Sequence, residues 1–534
     1  MSGVLQRSCS VASKCVESNL SVLDSLAQKV QPFIGPLSLI IFLLAYHGFL
    51  IAACVHNYQK AAPLLYITIF CWLCFIINLI VCTQKFKYFV EDVALKMENF
   101  ATCKRSVIIS FKVALMIALL AYTVIDSIHD LSRFSGFFAY IFYLLFMFAF
   151  SNNRMMINWN IVSSALLMHY TIALIIFKWS TGQWFFQQFA QLVVGFLEYA
   201  QVGAQFVFGF IAAPPNICDL APVFIFTSLQ TLIYFAAVVA ILFHFGIIQL
   251  VLLKSVWFTK MLIGTSSVES VNAWACTFLG MTEAPLVVAP YLPKLTDSEL
   301  FAVVTSGFAC VAGTVFAAYV ALGACPVYLL TASLLSAPMS LACSKMMFPE
   351  VEESQIREED FKVSHGSAGK GFFDTLCSAG VALVPTVFAI GASLVVNMSI
   401  LALLDTIIGY MGDLIGYDGW TFQMLFGYAF FPLAYMMGVT GDANQTLFFQ
   451  PKSVLIATYA LCGFSNFSSM GMSIEFLGGL APNKRSAISN FVLRALCAGS
   501  IACFMNATVA GILISEPIIC KSVQDTSKCF RIPS

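Results

Sequence analysis

GMTEAPLVVAPYLP, residues 280–293, sets a carboxylate, Glu283, among apolar neighbours. At the centre of a bilayer such a charge costs about 2.5–3.5 kcal/mol even on the insertion scale. In a membrane Glu283 must therefore face protein or water and have partners. Gly280 permits unusual backbone, Thr282 brings a hydroxyl, and Pro285, lacking an amide hydrogen, suits the first turn of a helix. This is how a hairpin tip that enters a membrane and turns back is written, with free amides and a carboxylate offered to a polar solute. The simpler reading is a Glu paired to a neighbouring helix for stability alone.

The rest of the chain decides that a membrane is present. Of 534 residues, 60% are hydrophobic and 10% charged, 51 are Phe, and the mean hydropathy is +0.88. Soluble chains carry about 25% charged residues, so this one cannot cover a water-soluble surface. The 27 basic and 27 acidic residues cancel, which leaves no basic footprint for nucleic acid. Apolar runs of spanning length occupy 35–55, 62–82, 106–125, 136–150, 161–179, 223–253, 301–322, 327–341, 379–404, 422–438, 454–462 and 491–514. Short alternating strands are missing from the pattern, so the fold class is an all-α polytopic membrane protein.

Basic residues in short flanks orient it. Residues 1–34 hold Arg7, Lys14 and Lys29 without an apolar core, and read as a cytoplasmic tail. The loop with Lys85, Lys87, Lys96, Lys104 and Arg105 and the stretch with Lys484 and Arg485 also read as cytoplasmic, which leaves 515–534 outside. There Cys520 and Cys529 have the setting for a disulfide. The Cys71–Cys74 pair has CxxC spacing but no second pair to complete a zinc site. His47, His169 and His244 read as packed, neutral helix residues. No Ser-His, His-rich or paired-carboxylate cluster recurs at membrane depth, so neither an enzyme nor a cofactor is expected.

The polar insert 345–371 is a cytoplasmic connector between two halves. Ahead of them run N-terminal helices, 35–182; the halves are 183–344 and 372–514. Each half has a polar break inside an apolar region: GMTEAP and then CVAGTV from Cys310 in the first, GFSNFSSMG from Gly463 in the second. Interrupted helices in corresponding positions of two halves point to a transporter's substrate site.

At this point the residues resemble a family. WFTKMLIGTSSVES (257–270), GMTEAPL, LLTASLLSAPMSLACSKMMFPEVEES (329–354), FPLAYMMGV (431–439) and TYALCGFSNFSSMG (458–471) look like the concentrative, sodium-coupled nucleoside transporters. The likeness covers roughly residues 183–514; the helices before 180 resemble the extra helices of the family's animal members more loosely. It implies a homotrimeric, inverted-repeat elevator transporter of the plasma membrane, with re-entrant hairpins and broken helices around a nucleoside. By position, Gly280, Met281, Thr282 and Glu283 form the first hairpin tip, facing base and ribose. Thr314 and Val315 touch the base, and Phe464, Asn466 and Ser469 hold the ribose side. The Gly280-Met281 and Thr314-Val315 pairs resemble the purine-preferring branch, which implies purine nucleosides plus uridine.

The departures from the pattern matter. The family's side-chain ligands for sodium, an Asn and a Ser or Thr, read Cys276 and Cys310 here, with Leu279 and Val311 at the carbonyl positions. Thiols are poor ligands for a hard ion, so proton coupling competes with sodium. Ala289 replaces a familiar Arg, and residues 438–458 are too short for the second hairpin and its Asn-Glu-Phe motif. A transport-deficient protein of the same fold, acting as sensor or assembly partner, or a shortened isoform, is the alternative to a transporter. The charge pattern itself is testable: in intact cells an epitope tag at Ser534 is reachable and one at Met1 is not, and the reverse result contradicts the orientation.

Overall fold

The computed structural model describes residues 43–58, 112–128, 133–212, 223–227, 230–311, 323–354, 371–416, 419–439 and 451–514, with isolated positions among 61–72 and at 110, 316, 319, 320 and 356. The chain divides into two units, Met1–Phe111 and Lys112–Ser534. In the first, helix α1 (Leu43–His56) covers most of the run expected over 35–55. His47 is engaged at both ring nitrogens, with the Leu43 carbonyl 2.8 Å from Nδ1 and the Trp72 indole N–H donating to Nε2. Most of the run 62–82, the Cys71–Cys74 pair and residues 515–534 with Cys520 and Cys529 lie outside the described residues.

The second unit is helical throughout its described residues. α2 (112–127) and α3 (Phe134–Ala149) precede α4 (Trp159–Phe177) and α5 (Ser180–Phe208). Then follow α6 (Gln230–His244), α7 (Ile247–Leu262), α8 (Ser267–Phe278) and α9 (Asp297–Ala309). α10 (Pro326–Met347) and α11 (Phe372–Ile415) flank the connector, whose residues 357–370 are outside the described set. α12 (Phe422–Met436), α13 (Pro451–Leu461), α14 (Phe467–Leu480) and α15 (Arg485–Leu513) complete it.

Two elements depart from the hydropathy reading. The single span expected over 223–253 is two helices, because Gly246 adopts φ +75°, a left-handed conformation that breaks the helix before α7. α5 is absent from the apolar runs above because Gln183, Gln187, Gln188, Gln191, Gln201 and Gln205 interrupt it, yet this 29-residue helix is long and apolar enough to cross a membrane.

Burial concentrates in α8, α9, α10, α13 and α15, while α11 exposes apolar side chains along most of its 44 residues. Helices close together in lipid need small residues at their contacts. α15 supplies them: a Cβ on Gly499 would stand 2.6 Å from Phe308 Cβ, and one on Gly511 3.0 Å from the Met437 carbonyl oxygen. α10 runs through this core. Its 22 residues reach about 33 Å, enough to cross a hydrocarbon layer of about 30 Å. Its first turn follows the disulfide-bonded Cys325, and its last turn carries Lys345.

Candidate functional site

The site is built from helices that stop inside the membrane. α8 has 12 residues, about 18 Å, too short to cross the layer. Its start is fixed by a capping box: Ser266 Oγ accepts from Glu269 N–H, and Glu269 returns an acceptor to Ser266 N–H. It ends at Leu279, whose extended backbone (φ −102°, ψ 164°) turns the chain. The amides of Glu283 and Ala284 donate to the Gly280 carbonyl at 3.1 and 2.9 Å, closing the tip. The chain then returns through one helical turn, Ala284–Val287, and a 3-10 stretch, Ala289–Lys294. This is the re-entrant hairpin.

Glu283 sits at the tip with its Oε2 accepting from Gly280 N–H at 3.1 Å. One carboxylate oxygen therefore caps the hairpin's own backbone. Gly280 is buried, whereas Met281, Thr282 and Glu283 are half-buried and reachable. The sequence reading offered this carboxylate to a polar solute; one of its oxygens is engaged with the tip itself.

α9 begins with a second capping box, Thr296 with Glu299, and stops at Cys310 in an extended conformation (φ −106°, ψ 154°). The hairpin tip packs on its side, since a Cβ on Gly307 would stand 3.0 Å from Met281 Cβ. The last carbonyls of a helix lack intrahelical partners, and here the second broken helix and α15 each provide one. Ser465 Oγ donates to the Phe308 carbonyl at 3.1 Å, and Cys503 Sγ to the Ala309 carbonyl at 3.2 Å. Gly463 lies against the same point. The break of α13–α14 thus lies across the end of α9.

α14 starts on Asn466. Its Oδ1 accepts from Ser469 N–H at 2.8 Å, while Ser469 Oγ accepts from Asn466 N–H at 3.1 Å. The Ser469 hydroxyl is shared between the carbonyls of Phe464 and Asn466. Ser469 is fully buried in this cap, Phe464 is half-buried and Asn466 exposed. The structure therefore brings the hairpin tip and the second break onto one helix, α9. Thr314 and Val315 lie outside the described residues, as does the segment 440–450 where a second hairpin is missing from the pattern. Cys276, Leu279, Cys310 and Val311 are all buried at the two helix ends.

Three features went unread in the sequence. Gly307 and Gly463 make the close approaches just described. The third is Lys345, 5% exposed. It is ion-paired with Glu269, donates to Ser298 Oγ at 3.0 Å and reaches Glu350 at 3.3 Å. Thr296 Oγ1 donates to the same Glu350 oxygen at 3.1 Å. One ammonium thus ties the starts of α8 and α9 to the end of α10. Removing one member of such a buried pair costs about 3–5 kcal/mol. A Lys that follows an apolar run within the same helix, with Glu350 five residues on, was the signal that could have found it.

Comparison with known proteins follows this geometry. Models for the Na+ dependent nucleoside transporter match at 138–211 (N-terminus) and at 328–448 and 441–511 (C-terminus). Solute carrier family 28 member 3 of Eptatretus stoutii is 30% identical over 96% of this chain and 79% of its own length. The chain belongs to the sodium-dependent nucleoside transporter family. Sodium/nucleoside cotransporter 1 of Mus musculus is similar at 30% identity, over 88% of this chain and 77% of that protein. The structure of CNTnw in an inward-facing substrate-bound state superposes with a TM-score of 0.67 at 28% identity, covering 72% of this chain and 98% of that one. An outward-facing CNTnw variant gives 0.68 over the same shares. The fold is thus that of the inverted-repeat elevator transporters. The C-terminal match comes in two pieces that meet at 441–448, inside the stretch too short for a second hairpin.

The contact between α9 and the second break is testable. A Cβ on Gly463 would collide with Cys503 Sγ and come within 2.9 Å of the Phe308 carbonyl oxygen. Gly463→Ala is expected to destabilise the protein by about 1–3 kcal/mol, read as a lower Tm of the purified protein. Adding Cys503→Ala relieves only one of the two clashes, so recovery is partial; full recovery contradicts the carbonyl contact.

Proposed function

We propose that this protein is a secondary transporter of nucleosides, with a preference for purine nucleosides plus uridine, coupled to sodium and working as a homotrimer in the plasma membrane. The observation that carries the reading is the meeting of the hairpin tip and the second helix break at α9, with Glu283 and Asn466 both reachable there. Glu283 keeps one oxygen to accept from a nucleoside hydroxyl or base N–H, while the other holds the tip. Thr282 adds a hydroxyl beside it. Gly280 and Met281, with Thr314 and Val315, border the base; their few polar atoms leave room for a fused ring. Phe464, Asn466 and Ser469 serve the ribose side, Ser469 by fixing the cap that aims Asn466.

The relatives' names, sodium/nucleoside cotransporters, support sodium as the driving ion. The disulfide at Cys325 favours a membrane of the secretory route, since such bonds form in oxidising compartments. A second reading, proton coupling, is favoured by one observation: both expected side-chain ligands, Cys276 and Cys310, are buried thiols.

The decisive variant is Glu283→Gln in proteoliposomes. The Gln carbonyl still accepts from Gly280 N–H, so the tip survives and only the offered oxygen changes character. Losing a charge-assisted hydrogen bond of about 1.5–3 kcal/mol weakens guanosine binding roughly 10- to 150-fold, with normal protein yield. Poor yield with unchanged affinity instead makes Glu283 a structural residue. Uptake that collapses in choline medium identifies sodium; uptake that persists and rises with external acidity identifies the proton.

A further inference from the structure

Phe308, in the last turn of α9, is where the second break is fastened. It is fully buried, and a Cβ on Gly499 of α15 would stand 2.6 Å from its Cβ, so packing fixes its place. Its carbonyl is among those that a helix end leaves without an intrahelical donor. Two residues of the second break close on that oxygen. A Cβ on Gly463 would come within 2.9 Å of it, and Ser465 Oγ donates to it at 3.1 Å. The residue before it, Gly307, carries the hairpin tip through Met281.

Ser465 stands between Phe464 and Asn466, the two residues assigned above to the ribose side. Both of those are tied to α14 itself: the Ser469 hydroxyl serves their carbonyls at 2.8 and 2.7 Å, and Asn466 Oδ1 accepts from Ser469 N–H. Asn466 is extended (φ −142°, ψ 165°), so helix geometry does not set its position against α9. Among the described residues, the Ser465 hydroxyl makes the one hydrogen bond that joins 463–466 to a helix other than α14. Hydroxyls that bond across helices act as polar glue where no water competes.

We propose that Ser465 is a positioning residue for the nucleoside: its hydroxyl clamps the second break to α9 and so sets where Asn466 stands relative to the hairpin tip. The inference rests on the transport reading above and its ribose assignment. The purified full-length protein is titrated with guanosine and with 2′,3′-dideoxyguanosine, which lacks the ribose hydroxyls, and the ratio of the two Kd values reports ribose recognition. Ser465→Ala weakens guanosine binding roughly 2- to 12-fold, the value of one neutral hydrogen bond, and leaves dideoxyguanosine binding unchanged, so the two affinities draw together. Ser465→Thr keeps the hydroxyl and keeps them apart. If the Ala variant does not fold, Ser465→Cys, a weak donor of similar size, narrows the gap in the same direction. A lower Tm with an unchanged ratio, or equal weakening of both ligands, makes Ser465 merely structural and overturns the inference. Asn466→Ala separates the two readings. If it closes the gap while Ser465→Ala does not, this inference fails and the ribose assignment stands; if it leaves the gap intact, the ribose assignment itself fails.

Discussion

A bilayer offers no hydrogen bonds to a broken helix, so every interruption must be answered from inside the protein. Three interruptions govern this fold: Leu279 at the end of α8, Cys310 at the end of α9, and Gly463–Asn466 between α13 and α14. Each is answered locally or by a neighbouring element. Ser465 and Cys503 cover carbonyls of α9, Glu283 caps the amide of Gly280, and Asn466 with Ser469 closes the start of α14. Ser465 joins the second break to the end of α9, so polar groups from distant parts of the sequence are brought to one helix. The same requirement that keeps the structure stable assembles the site.

Rigidity at the opposite end of the hairpin makes that convergence usable. Two capping boxes start α8 and α9, and Lys345 ties these starts to the end of α10 through Glu269, Ser298 and Glu350. A buried ion cluster of this kind is costly to assemble and more costly to break. It holds the base of the hairpin while Gly307 lets the tip pack on α9. The tip itself, Gly280–Glu283, is closed by hydrogen bonds within its own few residues.

Much of this was legible in the sequence, for physical reasons that differ by element. Glu283 stood out because a carboxylate in an apolar run has few permissible explanations, and the second break showed as polar residues where hydropathy should have continued. The apolar run over 161–179 and the helix Trp159–Phe177 nearly coincide because periodic apolar composition is a local property. Contacts between distant segments were not legible. Gly463 against Phe308, Lys345 against Glu269 and Asn272 against Val303 each depend on packing that no window of sequence contains. α5 is not an unbroken apolar run because glutamines interrupt it, although its average hydropathy still suits a spanning helix, and the 223–253 run reads as one span because a single glycine's backbone sign has no hydropathic signature.

The central claim is that the breaks of the two halves share one ligand volume at α9. Cryo-electron microscopy of the full-length protein in lipid nanodiscs, with sodium and guanosine, tests it most directly. The account predicts nucleoside density between the hairpin tip at Thr282–Glu283 and the α14 start at Asn466. Density elsewhere, with the tip and the second break separated by protein, contradicts it.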